Sequence, residues 1–128
     1  MEVFERAAAA GGRLLKVDQL PLADGSDEDA AALVLTFDVG RILVSFDSAS
    51  SCLVATHVAE AGDVPGSTVD ASEAEPWWRF LGAPLVAATE SEAGACLRLE
   101  FQVAGARTRT LALVSDGTRL QATIETGG

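Results

Sequence analysis

A chain of 128 residues, 48% of them hydrophobic, with 9 Lys+Arg against 19 Asp+Glu and a net charge of -10, has the size of one ordinary domain. Folding buries about two-thirds of the surface such a chain exposes when unfolded, and the length excludes two domains. A mean hydropathy of +0.25, with Leu, Val and Phe spread along the chain, excludes a disordered acidic tail, which lacks the apolar residues that offset ordering entropy. Apolar runs such as 84–88 and 111–114 fall far short of the roughly 20 residues of a membrane-spanning helix. The start Met1-Glu2-Val3-Phe4-Glu5-Arg6 lacks the basic beginning and long apolar stretch of a secretory signal, so the expected setting is cytoplasmic, without a membrane.

In chain order, residues 3–10 suit a helix of two or three turns, which needs docking to persist. A strand over 14–20 follows, then a charged loop over 24–29. Leu33, Leu35 and Phe37 alternate with their neighbours, as do Ile42, Val44 and Phe46 after the break Asp38-Val39-Gly40-Arg41. That pattern predicts a hairpin, because glycine takes the positive φ of a tight loop. A strand over 52–60 precedes 61–72, which reads as loop because it carries Gly62, Pro65 and Gly66.

Ser72 with Glu75 matches a capping box, while Pro76 suits a first helical position and would move the cap to Glu75. The helix that follows carries Trp77, Trp78, Phe80 and Leu81 and ends at Gly82, with Pro84 blocking continuation. A strand over 85–90 comes next. Leu97, Leu99, Phe101 and Val103 then alternate with polar residues, as do Leu120, Ala122 and Ile124. Ala104-Gly105-Ala106 and Ser115-Asp116-Gly117-Thr118 are the turns on either side of a strand over 108–114, which makes the last third a meander. The expected fold is α+β, mostly β: an antiparallel sheet of about seven or eight strands, half-barrel or sandwich-like, with one or two short helices.

Charge is unevenly spread. Residues 17–78 hold twelve acids and one base, Arg41, whereas 97–120 hold Arg98, Arg107, Arg109 and Arg119 against Glu100 and Asp116. An anionic half repels nucleic acid, whose affinity comes from neutralised phosphates, and attracts a basic protein.

No catalytic constellation emerges. His57 is the sole histidine, and no nucleophile elbow frames Ser45, Ser48, Ser50 or Ser51, so it reads as a structural or surface residue. Cys52 and Cys96 are too few for a disulfide scaffold and too far apart for a zinc motif; both read as buried reduced thiols at strand starts. The acids at 24, 27, 28 and 29 lack the ligand spacing of an EF-hand loop. No metal, cofactor or catalytic residue is expected. Trp77 and Trp78 point about 100° apart on a helix, so one faces the core with Phe80 and Leu81 and the other reaches the rim, where an aromatic can anchor a partner.

An alternating strand ending in Phe37-Asp38-Val39-Gly40, a second strand over 41–47, an acidic loop, Trp77-Trp78-Arg79-Phe80-Leu81-Gly82 and Leu97-x-Leu-x-Phe101 together span most of the chain. This layout resembles small uncharacterised bacterial β-rich single-domain proteins, among them immunity-protein-like families found beside polymorphic toxins. The resemblance implies a non-enzymatic protein that neutralises a toxin by binding it, and it transfers no site residue.

The residues themselves point to a binding protein that holds a protein partner, a basic toxin being one such, through Asp27, Glu28, Asp29, Glu60, Asp63 and Asp70, with Trp78 as apolar anchor. Two other readings stand beside it: a small-molecule-binding barrel-like module lined by Trp77 and the strand faces, and a homo-oligomeric scaffold joined through edge strands. Monomer and homodimer both fit.

Overall fold

The computed structural model describes residues 2–21, 30–47, 52–58, 69–73, 77–90, 96–103, 107–115 and 120–125. One α-helix, α1 (Glu2–Ala9), precedes nine strands: β1 (Leu14–Pro21), β2 (Ala30–Phe37), β3 (Gly40–Asp47), β4 (Cys52–Val58), β5 (Val69–Asp70), β6 (Leu85–Glu90), β7 (Cys96–Val103), β8 (Arg107–Ser115) and β9 (Leu120–Glu125). A 3-10 turn, Trp77–Arg79, lies between β5 and β6. The fold is mostly β, as the alternation predicts, and every pairing of named strands is antiparallel.

The strands do not form one sheet of seven or eight. They form two, of five strands in the order β4-β3-β2-β1-β5 and of four in the order β6-β7-β8-β9. The sheets meet at two corners without closing into a barrel. At one corner β2 pairs with β9 through Ala30↔Leu120 alone. At the other, Arg13 pairs with Pro84, supported by bonds from Leu14 N to the Ala83 carbonyl (3.2 Å) and from Leu85 N to the Gly12 carbonyl (2.8 Å). The physical reason lies in β2, whose stretch Ala32-Leu33-Val34-Leu35 is buried on both faces, so that it serves as an interior strand with β1 and β3 on its two sides.

Two bulges explain why the first and sixth strands alternate poorly. In β1 the register skips between Leu14 and Lys16, so Leu14 and Val17 both reach the core and Leu15 is left outside. In β6 it skips between Leu85 and Ala87, so Leu85 and Ala88 face inward and Val86 is exposed. One extra residue on one strand flips every later side chain to the other face. The bulged strands are the two that meet at Arg13 and Pro84.

One contiguous core takes side chains from both sheets, from Leu33, Leu35, Ile42 and Leu53 on one side to Leu97, Leu99, Phe101, Leu111 and Leu113 on the other. The outer face of the four-stranded sheet exposes Arg98, Gln102, Thr108, Gln121 and Thr123, with Val114 exposed among them. Helix α1 closes one end. Phe4 is fully buried and meets Phe37 edge-on at 6.3 Å, and Ala7 is buried beside it, which supplies the docking a two-turn helix requires. Its end is a Schellman motif: Gly12 N bonds the Ala7 carbonyl at 2.8 Å and Gly11 N the Ala8 carbonyl at 3.0 Å, with Gly11 at φ 68°.

Candidate interaction surface along the β1 edge

Strand β5 and the residues just before β6 both bond the edge of β1 that faces away from β2. In β5, Val69 and Asp70 pair with Gln19 and Asp18, which corrects the expectation of a loop throughout 61–72. Ala71 N then bonds the Val17 carbonyl at 2.8 Å. The Ser72 hydroxyl continues the ladder in place of a backbone group, accepting from Val17 N at 2.9 Å and donating to the Val17 carbonyl at 3.4 Å. Ser72 therefore caps a strand edge; the Glu75 and Pro76 of the expected helix start lie outside the described residues. Its own amide donates to Asp70 Oδ1 at 2.8 Å, the bond of an Asx turn.

The chain returns to the same edge at Gly82, whose amide bonds the Leu14 carbonyl at 2.7 Å. The Trp-Trp-Arg-Phe-Leu-Gly pattern suggests a helix, but Trp77–Arg79 is a 3-10 turn instead. Phe80 N bonds the Trp77 carbonyl at 2.9 Å and Ala83 N the Phe80 carbonyl at 3.0 Å, both i to i+3.

This turn sends its two tryptophans in opposite directions. Trp77 is buried at 3% exposure, and Phe80, fully buried, packs on Phe101 with ring centroids 5.2 Å apart. Trp78 is 49% exposed, and the Arg79 guanidinium carbon sits 4.6 Å from the centre of its ring. A cation over an indole face keeps its charge accessible while shielding part of the ring. Leu81 is exposed rather than packed with Trp77, and the Gly82–Leu14 bond brings the chain at Leu81 alongside the outward bulge residue Leu15.

The charges along this edge are mixed. Lys16 and Asp18 are 3.5 Å apart on the surface, Glu73 is exposed, and an Arg13 Nη1 proton goes to the Gly82 carbonyl at 3.2 Å. Asp70 has its carboxyl held below the ordinary value, first by the Ser72 backbone amide, then by the Ser72 hydroxyl and the Lys16 charge. Of the acids expected to meet a partner, the structure places Asp70 on this edge, on the same segment as Trp78; Asp27, Glu28, Asp29, Glu60 and Asp63 lie outside the described residues.

Among the described residues, no group of three or more His, Cys, Asp or Glu is positioned for a metal ion. Both cysteines are free thiols and half-buried, less enclosed than their sequence context suggests. No helix among the described residues is long and apolar enough to cross a membrane. His57 is exposed, on β4 in register with Ile42. It borders a groove of about 210 Å³ where α1 crosses the β2–β3 hairpin, a feature that no motif in the sequence announces. Comparison with protein-family models, with curated proteins and with solved structures gives no match.

Proposed function

We propose that this is a non-enzymatic binding protein that takes a basic protein partner, with Trp78 as its anchor. The observation that carries the reading is the half-exposed Trp78 under the Arg79 guanidinium, on a turn tied to β1 by the Gly82–Leu14 bond. Aromatic and Arg side chains are enriched at binding hot spots, and a turn already held by backbone bonds loses little entropy when it docks. The net charge of -10 supports the sign of the partner by steering cationic surfaces toward the chain. Asp27, Glu28, Asp29, Glu60, Asp63 and Asp70 supply charge in this reading. An immunity protein that captures a basic toxin in the cytoplasm is the specific form that the sequence resemblance favours, and two free thiols suit a reducing compartment.

The test is capture from an extract of the source cells, with mass spectrometry, using the native chain and a variant with Asp27, Glu28 and Asp29 changed to Lys. A basic protein held by the native chain at low salt, released at high salt and recruited more slowly by the variant supports the reading. An acidic partner, or equal capture by both chains at every salt concentration, overturns it.

A further inference from the structure

The groove between α1 and the β2–β3 hairpin is separate from the Trp78 surface and shares no lining residue with it. Its apolar walls are Val3 from the helix, Phe37 and Val39 at the hairpin, and Ile42 on β3. Width comes from what is missing: Ala7, Ala10 and Gly40 also line it, and none of the three carries a side chain beyond Cβ. The hairpin tip cannot collapse inward, because Val39 already rests against Gly12, where a Cβ would lie 2.9 Å from Val39 Cγ2.

The volume, about 210 Å³, exceeds the roughly 150 Å³ of an engineered cavity that holds benzene, so one aromatic ring with a small head group fits. The charge of the lining runs against that of the chain. Among the described residues that line the groove, the charged or titratable ones are Arg6 and His57, both exposed and neither acidic, on a protein of net charge -10. A guanidinium presents paired N–H donors that match a carboxylate, and an imidazole carries at least one N–H donor in either protonation state. The α1 carbonyls that would repel an anion are occupied: those of Arg6, Ala7 and Ala8 accept from Ala10, Gly12 and Gly11.

We infer that this groove binds a small aromatic monocarboxylate, its ring against Phe37, Val39 and Ile42 and its carboxylate toward Arg6 and His57. Arg6 supplies charge and geometry. His57 sits over Gly40 and offers a hydrogen bond from that wall of the groove.

The experiment is an NMR titration of the full chain with sodium benzoate, and in parallel with benzylamine and benzamide as cationic and neutral ring controls. Benzoate is expected to give saturable shifts at Val39, Gly40, His57 and the last turn of α1, with affinity about tenfold above either control, the factor a charge-assisted pair supplies. Ala10→Phe fills the groove and abolishes the shifts; Arg6→Gln brings benzoate down to the level of benzamide. Benzylamine binding as well as benzoate, saturable shifts at Trp78 alone, or no saturation with any of the three overturns the assignment. The native-chain comparison decides even where a variant fails to fold, and no outcome bears on capture of a protein partner at Trp78.

Discussion

The imidazole of His57 fills the space above the α-carbon of Gly40: its Nε2 lies 2.6 Å from the point where any other residue would place a Cβ. Gly40 also sits at φ 148°, a conformation L side chains rarely adopt. The two facts share one origin. Gly40 follows the two-residue turn Asp38-Val39 directly, and the strand register sets it diagonal to His57 on one face with Ile42.

Gly40→Ala is therefore expected to destabilise the fold by roughly 1–3 kcal/mol, from backbone strain together with the steric conflict. His57→Ala, at an exposed site, costs within about 0.5 kcal/mol. Urea denaturation of the double variant then shows less loss than the sum of the two, because removing the ring relieves the conflict but not the strain. Strict additivity would mean that the imidazole does not constrain residue 40.

Ser72→Ala leaves the Val17 amide without its acceptor in a buried position, with an expected cost of about 1–3 kcal/mol. Hydrogen exchange at Val17 checks the cause: its amide loses protection while those of β3 and β7 lose only what the global change dictates. Uniform loss across both sheets contradicts the capping role.

Asp70 carries a pH signature. Its carboxyl titrates below the ordinary carboxylate value, chiefly through the Ser72 amide, so the folded state binds this proton less readily than the unfolded chain. The stabilisation is complete above the unfolded value near 3.8 and is lost as pH falls through the lower folded value. Asp70→Asn should flatten the acid limb of the stability curve and leave neutral pH almost unaffected. A carboxyl carbon shift that titrates at the ordinary value contradicts the assignment.

The two tryptophans separate packing from recognition. Trp77→Ala empties a buried site and should cost about 3–5 kcal/mol. Trp78→Ala should cost no more than about 1 kcal/mol, the size of an exposed cation–π contact. Thermal melts of the pair check this, and equal losses contradict the division of roles.

Eight of the nine described strands were legible: β2, β3, β7 and β9 from alternation, a local signal, β8 from the turns on either side, and β1, β4 and β6 from their Val, Leu and Thr content; β6 and the Asp38-Val39 hairpin match their expected positions closely. The two-sheet arrangement was not legible. It depends on which strand edges meet, and the corner contacts Ala30↔Leu120 and Arg13↔Pro84 join residues 90 and 71 positions apart with no pattern of their own. Strand β5 escaped notice because two residues and a serine hydroxyl make its ladder, too short for a period to show. The helix expected at Trp77 is a 3-10 turn: the residue pattern favours α, but the bonds from Phe80 N to the Trp77 carbonyl and from Ala83 N to the Phe80 carbonyl run i to i+3. The opposite placement of Trp77 and Trp78 followed from their adjacency, whereas the groove at His57 depends on α1 crossing a distant hairpin.

The most direct test of the central claim is capture of a basic partner by the native chain beside Trp78→Ala and Trp77→Phe, at low and at high salt. The account predicts that Trp77→Phe behaves as the native chain, that Trp78→Ala retains its fold but loses most of the partner through faster dissociation, and that high salt weakens what remains. Undiminished capture by Trp78→Ala, or no partner for the native chain at either salt concentration, would contradict it.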